Sequence, residues 1–60
     1  MTRIGIGAIP AELRRQAVEF YAELLGKGYA PADIFYGITR TGLYRVSTTD
    51  GYSLPLGGTA

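Results

Sequence analysis

The apolar positions of this chain change their period once. Between Pro10 and Gly26 they recur at helical spacing: Leu13, Ala17, Phe20 and Leu24 follow one another at intervals of four, three and four, which places them on one face of an α-helix. Val18, Tyr21 and Leu25 widen that stripe on one side, and Glu12, Arg15, Gln16, Glu19 and Glu23 fall opposite. A helix with so broad an apolar face is one that covers a sheet or packs in a dimer. Its ends are marked as well. Pro10 suits a first helical position that needs no N–H, Glu12 puts a negative charge where the helix dipole favours it, and Gly26 and Gly28 around Lys27 offer a left-handed exit.

Beyond Asp33 the period falls to two. Ile34–Thr39, Leu43–Thr48 and Tyr52–Leu56 are runs rich in β-branched and aromatic residues, separated by Arg40-Thr41-Gly42 and Thr49-Asp50-Gly51, short loops that each end in glycine. Pro55 lacks a ladder donor, so the third strand must lie at an edge. Alternation assigns Ile34, Tyr36, Ile38, Tyr44, Val46, Tyr52, Leu54 and Leu56 to the face beneath the helix, and Phe35, Thr39, Leu43, Arg45 and Ser53 to the other. Near the start, Ile4 and Ile6 alternate with Gly5 and Gly7, which predicts a short strand with both isoleucines on one side, the glycines on the other either allowing close backbone approach or leaving the segment loose.

The expected fold is α+β: one amphipathic helix packed on a small antiparallel β-meander, with an N-terminal strand as an optional addition, (β)αβββ. Sixty residues allow one domain, 1–60, and Leu56-Gly57-Gly58-Thr59-Ala60 reads as a flexible tail over 57–60.

A second reading competes over residues 31–47. Pro31–Tyr36 would be a short helix and Thr39 would cap another running to Ser47. GITRTGLYRV, Gly37–Val46, then resembles the second half of a helix-turn-helix of the transposase or resolvase type, with Gly37 at the turn and Ile38, Leu43 and Val46 at the apolar positions. That resemblance implies a sequence-specific DNA-binding regulator in which Arg40, Thr41, Tyr44 and Arg45 face the groove. Gly42 inside the second helix, at a cost of about 1 kcal/mol relative to Ala, and the strand-forming run Val46-Ser47-Thr48-Thr49 favour the meander.

Composition narrows the chemistry. The chain has no His and no Cys, so the commonest general base, the thiol nucleophile, a disulfide and the usual zinc ligands are all absent. Glu19 and Glu23 stand one helical turn apart but belong to the solvated face, and the serines and threonines have no base beside them. No catalytic residue, metal site or cofactor is assigned, no small-molecule ligand is indicated, and an enzyme is not expected. Six basic residues against five acidic give a formal charge of +1, with no basic stripe of the kind that marks a nucleic-acid binder. The chain has neither a run long enough to cross a membrane nor a signal sequence, so a cytoplasmic setting is expected, and its size is compatible with a phage or mobile-element protein.

Five Tyr and two Phe are more than so small a core can hold. On the meander, Phe35, Leu43 and Arg45 form an aromatic and arginine patch, with Arg40 beside it and Arg14 on the helix as a lesser candidate; Tyr29 and Tyr52 would rim it. Such patches bind proteins. The expected function is a non-enzymatic protein-binding module, such as an accessory subunit, inhibitor or adaptor, whose partner is another protein or a second copy in a homodimer. A structural component of a larger assembly is a third reading.

Overall fold

The computed structural model describes residues 1–58 of the chain. Four strands, β1 (Thr2–Ile4), β2 (Ile34–Ile38), β3 (Leu43–Thr48) and β4 (Ser53–Gly58), form an antiparallel sheet in the order β1-β2-β3-β4, and one helix, α1 (Ala11–Gly26), packs on a single face of it. This is the α+β arrangement expected, with the N-terminal strand present.

α1 begins one residue later than the pattern suggests, with Pro10 as its N-cap, and Glu12 lies in its first turn. Its end is a Schellman motif. Gly28 adopts φ +102°, its N–H donates to the Leu25 carbonyl at 3.1 Å, and the Tyr29 N–H donates to the Leu24 carbonyl at 3.2 Å. The left-handed exit is therefore Gly28 alone, and Gly26 is the last helical residue. Ala17 and Leu24 are buried, and Leu13, Phe20 and Tyr21 pack beside them. Val18 and Leu25, expected to widen the buried stripe, are 54% and 38% exposed.

The two hairpins are built alike. In each, three residues (40–42 and 49–51) lie between a hydrogen-bonded pair, Thr39 with Leu43 and Thr48 with Tyr52, and the third is a glycine with positive φ, Gly42 at +87° and Gly51 at +96°. In each, a threonine opens the turn: the Thr39 Oγ1 accepts the Leu43 N–H at 3.0 Å, and the Thr48 Oγ1 accepts the Tyr52 N–H at 3.2 Å. This geometry rules out the helix-turn-helix over 31–47. Pro31–Asp33 forms only a single 3-10 turn, Leu43–Thr48 is extended, and Gly42 takes a φ that no right-handed helix contains.

Register gives the faces. Tyr36 lies opposite Val46 and Val46 opposite Leu54, all toward α1, where Ile34, Val46, Leu56, Ala17, Leu24 and Ile9 make the core. A bulge shifts the pairing of β3 with β4 near Tyr44 and Arg45, so that Arg45 faces Pro55 and Tyr44 faces Gly57. β4 consequently runs on through Gly57 and Gly58, which pair with Tyr44 and Leu43; the tail expected at 57–60 has its first two residues in the ladder, and its last two lie outside the described residues. Tyr52, expected on the covered face, precedes β4 and is exposed.

The N-terminal strand is shorter than its alternation suggested. After Ile4 the chain leaves the sheet, and Ile6–Ala8 forms a 3-10 turn with Ile6 at 40% exposure. Nothing lies within 4 Å of a side chain built at Gly5 or Gly7, so neither serves a close backbone approach. The turn instead delivers Ile9, 1% exposed, into the core ahead of α1.

Candidate functional site

With α1 on one side, the opposite side of the sheet is uncovered by any other element among the described residues. Three cross-strand rows define it. Phe35, Ser47 and Ser53 form one; Arg3, Gly37, Arg45 and Pro55 form the next; Leu43 and Gly58 end the series. Phe35, Arg45 and Leu43, all expected on this face, do share it, one in each of the three rows and each half-buried.

Arg3 completes the face. It pairs with Gly37, and its guanidinium carbon stands 4.1 Å from the centre of the Phe35 ring. Stacked this way it covers part of the phenyl ring while the residue itself stays exposed. The Arg45 guanidinium is fixed differently: its Nε and Nη2 both donate to Ser53 Oγ, at 3.2 and 3.0 Å, which leaves the rest of the fork free. Between the two arginines lies Gly37. A side chain there would come within 2.8 Å of the Met1 Cγ and Sδ, because Met1 lies across the glycine; Ser47 Oγ donates to the Met1 sulfur at 3.8 Å. Met1 thus closes over Ser47, which is 3% exposed. The face thus carries Phe35, Met1 over Gly37, and Leu43 in successive rows, with the two guanidinium-bearing residues, Arg3 and Arg45, on either side of Gly37 in the middle row.

Among the described residues, no acidic side chain shares it. Glu12, Glu19 and Glu23 are on α1, Asp33 ends the 3-10 turn before β2, and Asp50 is in the β3–β4 loop. Neither Arg3 nor Arg45 is part of an ion pair among the described residues, where Arg15 and Glu19, one helical turn apart at 3.5 Å, form the salt bridge.

The remaining candidates are placed elsewhere. Arg40 is exposed at the tip of the β2–β3 loop, at the end of the face beyond Leu43. Arg14 lies away from this face, exposed on α1: its Nε donates to the Ile9 carbonyl at 2.9 Å and its Nη2 to the Gly7 carbonyl at 3.0 Å, so it braces the turn that precedes its own helix. Of the four residues that the DNA-binding reading grouped, Tyr44 points into the core side while its neighbour Arg45 points to the open side, as adjacent strand residues must. Thr41 is held in the loop by its hydroxyl contact with Thr39, 3.0 Å. Tyr29 and Tyr52 do not rim the open face.

Those two tyrosines belong to a polar latch between the end of α1 and the β3–β4 loop. Lys27 Nζ donates to Tyr52 Oη at 3.0 Å and sits 4.6 Å from the centre of its ring. Tyr29 Oη donates to Asp50 Oδ2 at 3.0 Å, and the Thr48 hydroxyl donates to Asp50 Oδ1. Hydrogen bonds from Thr48 and then Tyr29 lower the Asp50 pKa below the ordinary carboxylate range, the bond to Asp50 raises that of the Tyr29 phenol, and the bond to Tyr52 raises that of Lys27. The same protonation states that make the latch are the ones it favours. A depressed Asp50 contributes stability above the ordinary carboxylate range, near pH 4, and loses it as pH falls through the folded-state value; raised Tyr29 and Lys27 contribute below about pH 10 and lose it as pH rises through theirs. Thermal melts followed across pH should show a plateau between these limits and a fall at both ends. Tyr29→Phe should blunt the acid limb by removing one of the bonds that depress Asp50. An acid limb unchanged in that variant would mean that the latch does not set it.

Among the described residues no pocket forms and no cluster of acidic side chains is placed to hold a metal ion, and no helix is long and apolar enough to cross a membrane. Comparison with protein-family models, with curated proteins and with solved structures finds no match to this chain.

Proposed function

We propose that this chain is a small non-enzymatic binding module that engages another protein chain through the open face of its sheet. The observation that carries this reading is the pairing of apolar groups with two side-fixed arginines that form no ion pair among the described residues, Arg3 stacked on Phe35 and Arg45 braced by Ser53. Apolar groups at the centre provide area to bury, and guanidinium groups held in place lose less freedom when they form bonds to a carboxylate. Arg40 extends the same edge. The partner surface that fits is acidic and flat. A chain without cysteine requires no oxidising compartment, and the cytoplasm is the setting this reading assigns it.

A photo-crosslinking side chain at position 43 tests the face directly, with the same probe at position 23 on the helix as the comparison. Adducts are expected from position 43 and should disappear when Arg45→Glu or Phe35→Ala is added. If position 43 gives no adduct, or its adducts survive both changes, the open face is not the binding surface. The mass of the adduct separates a second copy from a different protein, and a single-stranded oligonucleotide in the same assay would reveal a nucleic-acid ligand in its place.

A further inference from the structure

The open face is basic, and the far side of the molecule is its complement. At 3.6 residues per turn, Glu12, Glu19 and Glu23 fall within a narrow stripe of α1 turned well away from buried Ala17 and Leu24, and all three are exposed. Beside them on the outward ridge are Ala11, Val18 and Ala22, also exposed, with Val18 at 54%. The helix therefore offers small apolar residues next to carboxylates, where the sheet offers apolar groups next to guanidinium groups. The spacings agree too. Arg3 and Arg45 stand in one cross-strand row with Gly37 between them, so their backbones are about 10 Å apart. Glu12 and Glu19 are two turns apart, about 10.5 Å along the helix.

We propose that the partner for the open face is the outward ridge of α1 in a second copy of this chain, so that copies associate head to tail. This rests on the binding role given to the sheet face above. Each sheet would then lie between its own helix and the next copy's. A two-fold pairing of the open faces is unfavourable by comparison: it would bring Arg3 and Arg45 of both copies together with no acidic side chain of the described residues on either face. A heterologous contact puts opposite charges together and repeats. Arg15 is the one cation on the ridge; it is tied to Glu19, and it weakens the complementarity.

Sedimentation velocity from micromolar to millimolar concentration, at low and high salt, is the test. Wild type should form species that grow with concentration and dissociate by about tenfold or more as salt screens the contact. Arg3→Gln/Arg45→Gln blocks the sheet surface and Glu12→Gln/Glu19→Gln blocks the helix surface. Each alone should be monomeric with an unchanged far-UV spectrum, and an equimolar mixture should form a 1:1 dimer and stop there, because one intact contact remains per pair. Arg15→Gln should tighten the wild-type assembly. Monomeric wild type at every concentration, or a mixture that stays monomeric, overturns the head-to-tail proposal while leaving the sheet face open to a different partner. Assembly that survives the loss of Arg3 and Arg45 overturns both.

Discussion

Leu24→Ala is expected to remove most of the stability of this fold. A chain of sixty residues has on the order of 3–9 kcal/mol to lose, at roughly 0.05–0.15 kcal/mol per residue. Truncating a buried leucine costs about 2–5 kcal/mol, from lost transfer free energy and from the cavity left behind. Leu24 is 0% exposed and stands where α1 meets the core; its carbonyl also receives the Tyr29 N–H of the Schellman motif, and the two side chains belong to one cluster. Neighbouring side chains have little freedom to close the gap, since Val46 and Ala17 are themselves fully buried. Urea denaturation followed by far-UV circular dichroism should place the variant partly unfolded in the absence of urea. Leu25→Ala is the control: one residue along the same helix, 38% exposed, it should cost less than about 1 kcal/mol. Similar losses in both would mean that the core is not where the helix buries Leu24.

The contrast between Leu24 and Leu25 also marks how far the chain could be read in advance. The spacing of Leu13, Ala17, Phe20 and Leu24 located the buried stripe, because a straight helix on a sheet has one line of closest approach and a 3.6-residue repeat reveals it. The same repeat could not fix the width of that stripe. Four narrow strands leave Val18 and Leu25 beyond the edge of contact, and only the sheet's size decides that. The hairpins were legible because their chemistry is local: Gly42 and Gly51 supply the positive φ that a three-residue loop needs at its last position.

The N-terminal residues were hardest to read, for a different reason. Ile9 enters the core and Ile6 does not, although both follow a glycine or alanine in a short apolar run; the choice depends on where the chain must turn to reach α1. Arg3 is half of the candidate site and was missed because its neighbours on the open face, Phe35, Gly37 and Arg45, are more than thirty residues away in sequence. Its position was implicit in alternation, one step out of phase with Ile4, but only the pairing of β1 with β2 brings it to Phe35. Arg14, the lesser candidate on the helix flank, is exposed and also donates to two backbone carbonyls of the preceding turn, bonds that helical spacing does not reveal.

The second large effect concerns the glycines that close the hairpins. Gly42→Ala and Gly51→Ala should each destabilise the fold by about 1–2 kcal/mol, the cost of placing a Cβ in the left-handed region, and together by about 2–4 kcal/mol, since the loops are at opposite ends of the strands and share no partner. At Gly51 no atom lies within 4 Å of the added carbon, so its penalty is conformational and not a clash. Gly26→Ala should act in the opposite direction. Gly26 is the last residue of α1, has negative φ, and has nothing within 4 Å of the added carbon, so alanine there reduces the freedom of the unfolded chain and favours the helix by up to about 1 kcal/mol. Three substitutions of one residue type thus carry two signs, set by φ alone. A stabilising Gly42→Ala would mean that residues 39–47 prefer a helix, and the sheet face that joins Leu43 and Arg45 to Phe35 would be lost with the hairpin.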